Sequence, residues 1–177
     1  MIPTDRHVRR YIAPLAAAVA LTVTGCATTT QQPTPAVGNQ SAGASRQGEI
    51  AERGRSVMPF DLERTTHRFT KTTTGGVQAV VADTADATQV GLIQQHLRHE
   101  AERFRSGDFE DPASIHGADM PGLAALRQSA GKITVTYHDI SDGARITYTT
   151  ADTALISALH SWFDAQVSDH GRHATHS

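Results

Sequence analysis

One arrangement occurs twice in this chain and limits what it can fold into: two short strands, a tight turn, the tripeptide Thr-Ala-Asp, and an amphipathic helix. His67 to Thr73 and Val77 to Asp83 form the first pair, joined at Thr74-Gly75-Gly76. Ile133 to Asp139 and Ala144 to Thr149 form the second, joined at Ser141-Asp142-Gly143, a good hairpin signal. In the second pair Ile133, Val135 and Tyr137 alternate with Thr134, Thr136 and His138, and Ala144, Ile146 and Tyr148 alternate with Arg145, Thr147 and Thr149. Such alternation buries one sheet face and leaves the other polar. Each pair leads into Thr84-Ala85-Asp86 or Thr150-Ala151-Asp152, where an Asp or Thr side chain suits the exposed N–H groups of a helix start. Val90, Ile93, Leu97, Ala101 and Phe104 then recur at helical spacing, as do Leu155, Ile156, Leu159, Trp162 and Phe163. The expectation is an α+β domain: two ββα halves forming a four-stranded antiparallel sheet, with both helices packed on one face.

The first 26 residues have a different logic. Arg6, Arg9 and Arg10 precede an apolar run from Ile12 to about Val23, and Val23-Thr24-Gly25-Cys26 follows with the only cysteine in the chain. This is the layout of a secretory signal, and the last four residues resemble the bacterial lipobox. Residues 1–25 are therefore expected to be cleaved, leaving Cys26 as a lipidated N-terminus. The run is too short for a spanning helix, which needs ~20 apolar residues, whereas two or three acyl chains anchor a protein stably. The expected location is the cell envelope, and the outer membrane's periplasmic side if the cell is Gram-negative, since Ala27 and not Asp follows the cysteine.

Cleavage removes Asp5, Arg6, Arg9 and Arg10 from the 16 basic and 18 acidic residues, leaving 13 and 17 and a net charge of −4. A nucleic-acid partner, which calls for a basic footprint, is not expected. Residues 26–48 are Thr, Gln, Pro, Ser, Gly and Ala with hardly a large apolar side chain, the composition of a flexible tether. The globular domain is placed at 49–170, and 171–177 reads as a short polar tail. Between the halves, 106–122 is an uneven stretch read as a long loop, of the kind that is usually functional or disordered.

The chemistry rests on histidine. All nine histidines of the mature chain lie after position 66, and imidazole is the commonest metal ligand. His116-Gly117-Ala118-Asp119-Met120 places three donors in the long loop, and Met120 adds a soft ligand suited to copper(I). The same residues also suit a structural role, with Asp119 capping a short helix, Pro121 in its first turn and Met120 in the core. His67 shares an inward face with Phe69, and His160 sits at the edge of the second helix's apolar stripe, either facing His67 or capping the core. His96 and His99 fall opposite the first stripe and read as solvated. His170, His173 and His176 form a His-x-x-His-x-x-His tail, a secondary metal candidate. No Gly-x-Ser-x-Gly elbow, phosphate loop, dinucleotide fingerprint or His-Glu-x-x-His is present.

Four segments carry a resemblance to a known group: Val57-Met58-Pro59-Phe60-Asp61-Leu62-Glu63-Arg64-Thr65-Thr66-His67-Arg68-Phe69, Ile115-His116-Gly117-Ala118-Asp119-Met120-Pro121-Gly122-Leu123, Gly143-Ala144-Arg145-Ile146-Thr147-Tyr148 and Ala158-Leu159-His160-Ser161-Trp162-Phe163. Together they resemble a small bacterial family of exported proteins and lipoproteins commonly labelled aspartate carbamoyltransferase, over about Arg55 to Gly171. The resemblance picks out His67, His116, Asp119, Met120, His160 and His170 and leaves His96, His99, His173 and His176 outside its motifs. The label implies carbamoyl transfer, yet carbamoyltransferases are longer two-domain proteins with a Ser-Thr-Arg-Thr phosphate loop at a helix N-terminus. Arg64-Thr65-Thr66-His67 echoes that loop only superficially and leads into a strand.

The leading expectation is a lipid-anchored envelope protein that binds a ligand, with a copper ion favoured and zinc next. His116 and Met120 form its site, Asp119 supports it, and His67 or His160 completes it. The alternative is an interaction module whose polar sheet face (Thr134, Thr136, His138, Arg145, Thr147 and Thr149) pairs with a second copy, giving a homodimer, or with an envelope partner. An enzyme is the weakest reading.

Overall fold

The computed structural model describes residues 37–177, with side chains from 42 onward; the signal segment, Cys26 and the first part of the expected tether lie outside the described residues. The two halves take shape as the alternation predicts. Strands β1 (Thr65–Thr72) and β2 (Gly75–Ala82) form one hairpin, and β3 (Thr134–Ile140) and β4 (Gly143–Thr149) the other. Their turns are tighter than expected, only Thr73-Thr74 and Ser141-Asp142, so the glycines belong to the strands. Gly75, at φ 147°, lies so close to β4 that a Cβ there would run into the carbonyl oxygen of Tyr148.

Helices α2 (Ala87–Arg105) and α5 (Thr153–His170) follow the hairpins. Asp86 accepts from the N–H groups of Thr88 and Gln89, and Asp152 from those of Ala154 and Leu155, so each Thr-Ala-Asp ends in an N-cap. The hairpins meet through antiparallel β2 and β4, with Val80 opposite Ala144. Helix α2 lies mainly over β3 and β4, and α5 over β1 and β2, so each half's helix covers hairpin strands of the other. Phe69, Phe104, Phe109, Tyr148, Trp162 and Phe163 interlock between the layers.

Four expectations need correcting. The sheet is not four-stranded and antiparallel but five-stranded and mixed, in the order β3-β4-β2-β1-β5. Its fifth strand, β5 (Ala174–His176), comes from the stretch read as a solvated tail and pairs parallel to β1, His67 opposite Ala174. A free β1 edge would leave a row of backbone groups unpaired, and the 3-10 turn Gly171–His173 brings the chain back to cover it. The stretch read as a long loop contains α3 (Glu110–His116), which buries Pro112, Ala113, Ile115 and His116 and sets Phe109 flat against Phe104, ring centroids 4.4 Å apart. Helix α1 (Val37–Gly54) begins inside the segment read as a flexible tether. It docks through Ile50, which is fully buried, through Arg53 Nε donating to the carbonyl of Ile115 at 2.6 Å, and through Arg46.

Helix α4 (Leu123–Arg127) starts at Gly122, whose left-handed backbone (φ 80°) lets it approach α5 so closely that a Cβ would strike the carbonyl of Ala158. Gly122 takes the cap position expected of Asp119, which is exposed instead. Among the described residues no helix is long and apolar enough to cross a membrane.

Candidate functional site

Four histidines converge where β1, α2, α3 and the end of α5 meet. Alternation points His67 inward with Phe69, and there its ring stacks on that of His170, the last residue of α5, with centroids 4.5 Å apart. His170 in turn meets the edge of His116, the last residue of α3, at 4.9 Å. His96, from α2, packs edge-on against Phe60. All four border a narrow pocket of about 40 Å³, together with Glu100, Asp111 and Trp162. His67 and His170 also border an outer groove of about 270 Å³ lined by α1 and the two 3-10 turns, so this stacked pair is a shared wall.

Burial holds three of these imidazoles, His67, His96 and His170, neutral. It pulls His67 down to about 3, with further lowering by His116, His96 and His173. His96 falls to about 4 by burial, partly offset by Asp111. His170 lies well below its ordinary value for the same reason, reinforced by His67 and His116. His116 differs in having a partner: Nδ1 lies 2.9 Å from Oδ2 of Asp169, and both side chains are almost fully buried. Burial would raise the Asp169 carboxyl, but hydrogen bonds from His116 and Arg46 hold it below its ordinary value. Arg46 donates from Nε to Oδ1 at 2.6 Å, and from Nη2 both to Oδ2 at 2.8 Å and to the carbonyl of His116 at 3.1 Å. A carboxylate only accepts, so Nδ1 of His116 donates to Asp169. A carboxylate behind the imidazole is the arrangement found behind metal-binding histidines.

The acidic side of the cavity is also unusual. Glu100 is 5% exposed, and burial, followed by Asp111, raises its carboxyl to about 8. Asp111 goes the other way: burial works against it, but Arg103, 2.6 Å away, and Glu100 hold it below the usual range. Glu100 therefore carries the proton of the pair at neutral pH, while Arg103 also forks onto Asp108. Among the described residues the buried side-chain atoms without a hydrogen-bond partner are Nε2 of His67, Oε1 of Glu100 and Nε1 of Trp162, and all three residues line this one cavity.

The residues expected to form the site are thus only partly gathered. His67 and His116 come together, and His170 joins them although it was read as part of the tail. Met120 is buried in the core and does not line the cavity. Asp119 points to solvent, because α3 ends at His116 and Gly117 turns the chain away. His160 neither faces His67 nor the cavity; its Nε2 binds the carbonyls of Gly75 at 2.8 Å and Thr72 at 3.2 Å, tying down the first hairpin turn. His173 pairs with Glu63 beside the outer groove, His176 with Asp164 on the surface. His99 and His138 are exposed, and Cys26 is not among the described residues.

Glu100, Asp111, Asp169, Arg46 and the inward half of His96 were missed. Glu100 had a readable signal, a carboxylate three residues after Leu97 on the apolar stripe of α2. Asp169 had a weaker one, on the same α5 face as Trp162 and Gln166. Arg46 had none. Among the described residues, no three His, Cys, Asp or Glu side chains already stand as a group able to hold a metal ion. The residues echoing a carbamoyl-phosphate loop are engaged otherwise: Arg64 with Asp86 and Thr84, Thr65 with the carbonyl of Leu62, Thr66 with Asp83. No protein-family model, no curated protein and no solved structure matches this chain.

Proposed function

We propose that the domain binds a single divalent transition-metal ion, zinc or copper(II), in the cavity between β1, α2, α3 and α5, with Nε2 of His67 and Nε2 of His116 as nitrogen donors and Glu100 as the oxygen donor. The observation that carries this is the set of unpartnered buried polar atoms on residues that border the same cavity. A buried polar group without a partner costs about 1–3 kcal/mol, so such a concentration points to a missing occupant. The pocket, at about 40 Å³, has room for an ion with water. Neutral imidazoles and a carboxylate are the donors zinc and copper(II) take. Copper(I), which Met120 would have suited, loses that soft donor, because Met120 lies in the core.

Binding calls for Glu100 to turn from Asp111 and release its proton, which closes a donor set that is open in the metal-free arrangement. In the same proposal, lipidation of Cys26 holds the domain at an envelope membrane.

Titration of residues 36–177, one compact unit with its own core, against a competing chelator tests the metal site. Tight one-to-one binding with proton release, lost in His116→Ala and His67→Ala and kept in His138→Ala, is the expected result. Binding that disappears only when His173 and His176 are replaced would sink the proposal, as would no binding at all.

A further inference from the structure

The outer face of the sheet holds a feature that the metal site does not use. Every other described arginine has an acceptor: Arg46 on Asp169, Arg53 on Ile115, Arg55 on Glu52, Arg64 on Asp86, Arg98 on Asp139, Arg103 on Asp108, Arg105 on Val135, Arg127 on Glu110 and Arg172 on Glu63. Arg68 and Arg145 alone have none among the described residues. They are not scattered. Arg68 pairs in register with Ala79, Ala79 with Arg145, and Arg145 with His138, so the three basic side chains lie in one straight row across β1, β2, β4 and β3. Alternation sends them to the face opposite Phe69, Ile146 and Tyr148, and all three are exposed.

The neighbouring row is Thr70, Val77, Thr147 and Thr136, and the next ends in Thr149 and Thr134. No described helix packs on this side. Its nearby carboxylates are occupied or turned away: Asp83 accepts from Thr66 at 2.7 Å at the margin, and Asp139 serves Arg98 and Tyr137 on the helix side. Two arginines separated by one intervening strand stand roughly 9.6 Å apart, twice the strand spacing. That is the length of a disaccharide.

We infer that this face binds an extended anionic polysaccharide laid across the strands, its acidic groups on Arg68 and Arg145 and its hydroxyls on the adjoining threonines. The charge forms a line with hydroxyl rows on one side, which matches a linear polymer better than a planar lipid surface. A second copy fits worse, since face-to-face pairing sets one basic row against another. The inference is independent of the metal site.

Hyaluronan, with one carboxylate per disaccharide, is the probe, and uncharged dextran and phosphatidylglycerol vesicles are the comparisons, each mixed with residues 36–177 at low and at physiological salt. Hyaluronan is expected to bind in a salt-sensitive manner, and dextran not to. Arg68→Gln with Arg145→Gln should weaken binding about tenfold or more, whereas the same loss of charge through Arg55→Gln with Arg127→Gln should leave it unchanged. Both substituted pairs are exposed side chains, so folding is not at stake, and circular dichroism verifies it. Equal binding by the Arg68/Arg145 variant, binding of vesicles in preference to hyaluronan, self-association through this face in sedimentation, or no binding to hyaluronan each overturns the inference.

Discussion

Glu100→Gln isolates one proton in the pocket. Burial, followed by Asp111, pushes the Glu100 carboxyl up to about 8 in the fold from an ordinary value of 4.5. Between those limits the folded state holds a proton that the unfolded chain has lost, so stability falls as pH rises, by at most 1.36 kcal/mol per pH unit at 25 °C. From pH 5.5 to 8 this group alone removes about 3 kcal/mol, and from pH 7 to 8 about 1 kcal/mol. The substituted amide keeps the shape and an N–H donor for Asp111 but cannot ionise. The buried histidines titrate alike in both proteins and cancel in the difference. Urea unfolding at a series of pH values, with chelator present, measures that difference. The stability gap should shift steadily in favour of the variant up to pH 8 and then level off. Parallel curves from pH 5.5 to 8 would refute the reasoning, because they would mean that Glu100 is already ionised in the fold.

The buried imidazoles have the opposite sign. His67 is held neutral down to about pH 3, so in the Glu100→Gln background stability should drop as pH falls from 6.5 to 4.5, by about 2 kcal/mol from His67 alone, and denaturant titration at the two pH values reads this directly. Asp169→Asn takes the carboxylate from behind His116 and leaves Arg46 without its charge partner; metal affinity should fall 10–100-fold by chelator competition. Phe109→Ala empties the space between Phe104 and Trp162 and should cost about 3–5 kcal/mol in urea unfolding. Deleting residues 172–177 uncovers the β1 edge, and light scattering on heating should show earlier aggregation than in the intact chain.

The halves were legible because each element states its own rule. Ile133 to Thr149 alternates with period two, Ile93, Leu97, Ala101 and Phe104 recur with a helical period, and Asp86 and Asp152 stand where caps belong. The missing elements depend on something distant. Ala174-Thr175-His176 has no pattern of its own and becomes a strand because β1 offers an edge. Helix α3 is seven residues long, and its N-cap residue, Phe109, has no side-chain bond to offer; it is stabilised by Phe109 and Ile115 entering a core built by other segments. The site was half visible for the same reason. A run of histidines can be counted in a sequence, but only the approach of α5 to β1 puts His170 against His67, and only the docking of α1 puts Arg46 on Asp169. Met120 was readable both as a soft donor and as a core side chain, and only the fold places it in the core.

The pairing of β5 with β1 bears on the order in which the molecule is made. Ala174 lies beside His67, and the N–H of Ser177 donates to the carbonyl of Phe69. Among the described residues, the strand that closes the sheet is therefore synthesised after the other four, and its partner is the first of the five made. Until residues 170–177 emerge from the ribosome, β1 has one bare side and His67 lacks the stacked ring of His170. A nascent chain can form its hairpins early but cannot finish the pocket walled by His67 and His170 until that C-terminal stretch arrives.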